Sequence, residues 1–282
     1  MKLLTAVLSS EDLEKTKRCL TTVGDDAVLI INTLNKDYVQ EVLNAKLDIS
    51  QFAITLSNGT PGLGKQSVLD YFLKTSYTHL TFIDSDDYYM PGGIERIKEH
   101  LEDFDYVGCL TDVYTPQRKL LSMLEWQFPK TLRKEFATDK DKFKTFYKTM
   151  RDIAQAYSHE TIVQRIVGLS KKGARAFKFS DKLMGLDDVQ AQVNLALECS
   201  KGNIKGKIVY DKDIYLYDRS DGAGTLSDFV DNTFTPEQEK IFWEGIHEGE
   251  YDAEAFEYES VISNLTEEER MRIILDYDIQ QN

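Results

Sequence analysis

Apolar and polar positions divide the first hundred residues into an alternation of short strands and helices. An apolar run at 3–8 is followed by a polar, helix-patterned stretch to about residue 22. Residues 27–31 (Ala-Val-Leu-Ile-Ile) are apolar without a break, the pattern of a strand covered on both faces. A helix over about 37–45 and a strand at 52–56 come next, then a glycine-rich stretch and a helix over 66–75 with Val68, Tyr71 and Phe72 at helical spacing. A strand at 77–83 runs into Asp84-Ser85-Asp86-Asp87, and beyond Pro91 the spacing of Ile94, Ile97, Leu101 and Phe104 predicts another amphipathic helix. The alternation predicts an α/β fold: a mostly parallel sheet with helices on both faces, whose ligands sit outside the carboxyl ends of the strands.

The pattern weakens between about 108 and 167, where strand-like pieces precede a basic stretch carrying Phe136, Phe143, Phe146 and Tyr147 among lysines. It returns with a helix from about Asp187, which puts Leu186, Val189, Val193 and Leu197 on one face, and with strands over 208–217. The remainder reads as helical and acidic. A length of 282 residues suits one large domain with an appendage, divided here into 1–228 and a helical acidic C-terminal extension, 229–282.

Charge sharpens that division. Of the net −14, residues 236–282 carry −11, from fourteen acids against three bases, whereas 129–151 hold eight Lys or Arg against three acids. An acidic sum therefore does not exclude an acidic partner at the basic segment. Cys19, Cys109 and Cys199 are scattered and odd in number, which predicts buried thiols rather than a zinc site or a disulfide framework. With no apolar run of membrane-spanning length and no leader pattern, the expected compartment is the cytoplasm.

Four stretches could carry chemistry. Ser57-Asn-Gly-Thr-Pro-Gly-Leu-Gly-Lys-Gln-Ser67 contains G-x-x-x-x-G-K, but Gln66 stands where a phosphate-binding P-loop needs a hydroxyl for Mg²⁺. Asp84, Asp86 and Asp87 follow an apolar strand within four residues. Crowded carboxylates repel, and hard oxygen ligands suit Mg²⁺ or Mn²⁺ with diphosphate oxygens; the plainer alternative is a turn whose Asp caps the next helix. Asp187 and Asp188 open a helix, where its dipole favours a carboxylate and where Asp187 could simply be the N-cap. Arg219 lies just past a strand and before a Gly/Ser loop that could close over phosphates, or it could pair with Asp218 or Asp221.

Taken in order, these pieces resemble the family 2 GT-A glycosyltransferases over about residues 1–225: a glycine segment, D-x-D-D at the end of a strand, G-x-D-D before a helix, then Tyr217-Asp-Arg219 near a flexible loop. The resemblance implies a Rossmann-like GT-A fold, a nucleotide-diphospho-sugar donor (a UDP-sugar first among them), Mn²⁺ or Mg²⁺, and sugar transfer with inversion. It implies Asp84, Asp86 and Asp87 as metal ligands, with Asp84 also at the donor ribose, and Asp188 as the base beside Asp187. Ser9, Asn32, Gly59, Gly64, Lys65 and Arg219 fall at donor-binding positions. Asn32 stands where many members have an Asp for the base, and Lys65 where they have an Arg, a point charge in place of a fork. A nucleotidyltransferase on a similar fold is the alternative, and a P-loop-type NTPase the more remote one. The acceptor is expected to meet 108–182. The basic segment 130–151 is either a solvated amphipathic helix or a contact for an acidic acceptor, such as an anionic glycan or a hydroxymethylated base in phage-type DNA.

Overall fold

The computed structural model describes residues 1–24, 26–49, 51–110, 113–114, 164–210, 213–218, 235–248 and 256–258. The basic segment 130–151, Arg219 and most of the acidic C-terminal part lie outside the described residues.

Eight strands form one sheet: β1 (Leu3–Ser9), β2 (Val28–Asn32), β3 (Gln51–Thr55), β4 (His79–Asp84), β6 (Tyr106–Leu110), β8 (Gln164–Ser170), β9 (Gly206–Tyr210) and β11 (Phe256–Tyr258), in the order β11-β9-β6-β8-β4-β1-β2-β3. All pairings are parallel except those of β8, which runs antiparallel between β4 and β6. A second, small sheet joins β5 (Tyr88–Tyr89), β10 (Tyr215–Asp218) and β7 (Val113–Tyr114). The expected α/β architecture is therefore present, with two differences. The stretch expected to meet the acceptor, 108–182, supplies β8 and most of β6 to the middle of the sheet, and the acidic end contributes a strand, β11, beside β9.

Side-chain alternation in the strands separates two cores. Leu4, Ala6, Val28 and Ile30 point to the face covered by α3 (Pro61–Lys74), α5 (Lys171–Arg175) and α6 (Asp187–Ser200). Val7, Leu29 and Ile31 point to the other, with Cys19 of α1 (Leu13–Leu20), Tyr38 of α2 (Lys36–Asn44) and Ile97 of α4 (Gly93–His100). All five residues of β2 are buried, as its unbroken apolar run predicts. The three cysteines are free and buried, and burial pushes the Cys199 thiol up to about 12. No described helix is long and apolar enough to cross a membrane.

Helix boundaries matter most at the glycine segment. The expected loop is largely helix: α3 begins at Pro61, not Gln66. Proline suits the first helical position, where its missing N–H costs nothing, and Thr60 caps the helix by accepting from the Leu63 amide. Gly59 alone makes the turn, at φ +84°. Gly62 and Gly64 serve packing instead. A Cβ on Gly62 would lie 1.8 Å from the Ser180 carbonyl oxygen, and one on Gly64 would meet Leu8 at 3.3 Å and Asn32 at 3.5 Å.

Candidate active site

Strand order reverses at β1, whose neighbours are β2 on one side and β4 on the other. That switch opens a crevice at the carboxyl ends of the two strands, and Asp84 ends β4 inside it. The Asp87 amide donates to the Asp84 carbonyl at 3.1 Å, and the Ser85 amide to Leu8 of β1 at 2.8 Å. This tight turn forces Asp84, Asp86 and Asp87 together, with one carboxylate oxygen from each within 4.8 Å of the others.

The three are not equivalent. Asp87 is fully buried and accepts from the Tyr215 hydroxyl and, at 3.0 Å, from the Asp218 amide. It anchors β10 to the turn, while the Tyr88 hydroxyl donates to Asp218 at 2.9 Å. Asp84 and Asp86 are half-buried, and Asp84 lines the crevice. Burial raises the pKa of Asp86, with the Asp84 charge adding to it, and burial followed by Asp86 raises that of Asp87 well above the usual carboxylate range.

Across the crevice α6 starts at Asp187. Its N-cap is Leu186, held in the left-handed region at φ 63° without a side-chain cap, so Asp187 is the first helical residue rather than the cap. Both acids of this first turn receive Lys65 from α3. Its ammonium donates to Asp187 at 2.9 Å and to Asp188 at 2.6 Å, and the lysine side chain is only 8% exposed. Burial pulls Lys65 toward neutrality, but Asp187, Asp188 and Asp84 outweigh it and raise its pKa above the usual lysine range. Burial raises Asp187 to about 6 despite Lys65. At Asp188 the desolvation is overcome by Lys65 and Arg165, which lower its pKa and keep it ionised.

Arg165, at the start of β8, was not singled out by sequence reasoning. Its guanidinium lies 3.5 Å from Asp188, 3.7 Å from Asp84 and 3.9 Å from Asp87, so it touches both carboxylate groups. The signal was slight: one basic residue ahead of the apolar run Ile166-Val167, in a stretch with no clear period. Lys65, Asp84, Arg165, Asp188 and Tyr215 line a recess of ≈ 20 Å³, room for about one water.

The remaining expected residues are placed as follows. The Ser9 hydroxyl is buried and bonded to Thr16 at 2.7 Å and Tyr38 at 2.5 Å. The Asn32 amide nitrogen donates to Thr55 and the Leu56 carbonyl at 2.9 and 2.8 Å, tying β2 to β3. Gln66 accepts from the Phe179 amide at 3.0 Å. With 61–64 already helical, the Gly64 amide on the Thr60 carbonyl and Lys65 committed to two aspartates, the segment offers no phosphate cradle. The P-loop alternative has no geometry here.

The fold has a counterpart among solved structures. Residues 1–349 of S. aureus TarS in complex with UDP-GlcNAc superpose at a TM-score of 0.52 and 12% identity, covering 80% of this chain and 60% of that one. The fold is of the GT-A type. This chain thus spans about 60% of the length of the TarS fragment it matches. The same fragment with UDP superposes at 0.49, with 12% identity over 90% of this chain and 68% of that one. A putative glucose-1-phosphate thymidylyltransferase from Bacillus anthracis reaches 0.28, with 14% identity over 40% and 56%. Neither of these two adds to the assignment. No protein-family model matches the chain, and no curated protein matches it in sequence.

On this GT-A frame, two acidic groups, one after β4 and one opening α6, meet in one crevice. Among the described residues, these five carboxylates (Asp84, Asp86, Asp87, Asp187, Asp188) face Lys65 and Arg165, with Lys15 acting on Asp86 from further off. The turn's hard oxygen donors and the surplus negative charge fit a divalent ion such as Mg²⁺ or Mn²⁺.

Proposed function

We propose that this protein is a metal-dependent glycosyltransferase that moves a sugar from a nucleotide-diphospho-sugar, a UDP-sugar in the first instance, to an acceptor hydroxyl with inversion. One observation carries the reading: the acidic turn after β4 and Asp188 at the start of α6 share one crevice, bridged by Arg165, at the carboxyl end of β4 in a GT-A sheet. The match to TarS with UDP-GlcNAc supports the donor class.

Asp84 and Asp86, the two acids of the turn that are not fully buried, would hold the ion, with Asp87 within reach of both. Bound there, a divalent ion would neutralise charge growing on the departing diphosphate. Asp188 takes the proton of the acceptor hydroxyl. The acceptor oxygen forms its bond to the anomeric carbon as the bond to the diphosphate breaks, and the nucleoside diphosphate leaves. Lys65 keeps Asp188 ionised, which a proton acceptor requires, and Arg165 adds to this in the nucleotide-free crevice. Asp187 shares Lys65 and orients the pair, and Arg219 assists the leaving group. The side chains of Ser9 and Asn32 are engaged internally, so on this reading they shape the donor crevice rather than read the base. Gly59 and Gly64 set the turn and close packing beside it. The basic segment 130–151 is the proposed approach of an acidic acceptor, either an anionic glycan or a hydroxymethylated base in DNA.

The test is the product. Incubation with Mn²⁺ and a panel of nucleotide sugars should release nucleoside diphosphate slowly even without acceptor. Release of pyrophosphate from a nucleoside triphosphate, with no nucleoside diphosphate from any sugar, would replace this reading with a nucleotidyltransferase.

A further inference from the structure

Arg165 belongs to none of the motifs, yet its charge is shared by both halves of the crevice. Its side chain is 13% exposed, its guanidinium carbon lies 6.0 Å from the centre of the Tyr215 ring, and three carboxylates from β4, the following turn and α6 lie within 4 Å. A dication settling among Asp84, Asp86 and Asp87 would arrive beside this guanidinium, and like charges that close in a half-buried crevice repel strongly. A diphosphate offers the opposite: paired oxygens that a guanidinium binds as a fork.

We infer that Arg165 is a displaceable counter-cation. In the nucleotide-free crevice it competes with the divalent ion for Asp84 and Asp87. Once a nucleoside diphosphate is bound it turns to the diphosphate, leaving Asp188 to Lys65. The inference rests on the donor reading above and adds to it a residue with opposite effects on the two ligands: it weakens binding of the ion alone and strengthens binding of the nucleotide. A residue that merely held the fold together would strengthen both.

The experiment uses the full chain with Arg165→Gln and Arg165→Lys. Mn²⁺ binding is followed by electron paramagnetic resonance without nucleotide, and UDP binding by calorimetry in saturating Mn²⁺. The expected result for R165Q is Mn²⁺ bound about threefold or more tighter and UDP bound about tenfold more weakly. R165K, which keeps the charge and loses the fork, should match wild type for Mn²⁺ and fall between the two for UDP. A folded R165Q that binds Mn²⁺ no more tightly, or UDP as well as wild type does, overturns the inference. If R165Q does not fold, R165K decides: weakened UDP at unchanged Mn²⁺ affinity supports the inference, and unchanged UDP affinity overturns it. Wild-type protein that binds Mn²⁺ but no nucleoside diphosphate overturns the donor reading and the inference together. Intact UDP binding beside an unaltered Mn²⁺ affinity in R165Q overturns the inference alone.

Discussion

The two acidic groups of the crevice handle the same electrostatic problem in different ways. At the start of α6, buried Asp187 and half-buried Asp188 have an ammonium between them, 2.9 and 2.6 Å away, so most of their charge is answered from inside the chain. At the turn after β4, Asp84, Asp86 and Asp87 crowd one another, Arg165 lies 3.7 Å from Asp84 and 3.9 Å from Asp87, and burial and mutual repulsion drive the pKa values of Asp86 and Asp87 upward despite Arg165 and, at Asp86, Lys15. The first group is a finished part of the structure. Among the described residues the second is left in deficit of positive charge, which is the state expected of a site that takes its cation from solution.

Mutations should separate the two. Lys65→Met leaves buried Asp187 and half-buried Asp188 with their main partner gone, and unfolding by urea should show a loss of about 3–5 kcal/mol. Asp188→Asn is close to isosteric; it should leave nucleotide-sugar binding in place and slow donor turnover by about 10²-fold or more. Near wild-type turnover in that variant would remove Asp188 from the base role. Asp86→Asn acts in the opposite sense to Lys65→Met. Because the folded pKa of Asp86 is raised, its ionised form destabilises the metal-free fold above the usual carboxylate pKa, so the neutral amide should raise Tm slightly while weakening Mn²⁺ by at least about tenfold. A fall in Tm would mean that the turn, too, is internally balanced.

The smallest effect is a slope. With Asp187 raised from 3.8 to about 6, the folded protein holds a proton that the unfolded chain has lost across that window. This group's contribution is therefore present below pH 3.8 and lost as pH rises toward about 6. Asp187→Asn mimics the protonated acid, so its stability relative to wild type should climb between those pH values in urea titrations. A flat difference would show that Lys65 satisfies Asp187 completely.

Local features of the crevice were legible in the chain. The unbroken apolar run of β2 and the cluster Asp84-Ser85-Asp86-Asp87 after β4 are short-range patterns, and each lies where its pattern puts it. What was not legible depends on partners distant in sequence. Lys65 meets Asp187 and Asp188 across 122 and 123 residues, and nothing near Lys65 distinguishes an internal counter-ion from a ligand-binding lysine. The glycines misled for a related reason. Their spacing suggests a loop, but Thr60 and Pro61 start a helix there, and the need for glycine comes from Ser180, Leu8 and Asn32 on other elements. Asp87 looked like one carboxylate among three; its burial beneath Tyr215 follows from a pairing between β5 and β10 that local pattern does not encode.

The most direct test of the charge-deficit claim is a crystal of the protein soaked with Mn²⁺ and UDP, with anomalous scattering recorded at the manganese edge. The account predicts a peak about 2.0–2.4 Å from carboxylate oxygens of Asp84 or Asp86 and from the diphosphate, with Asp187 and Asp188 still on Lys65. Bound UDP without manganese in the crevice, or manganese seated on Asp187 and Asp188 in place of Lys65, would contradict it.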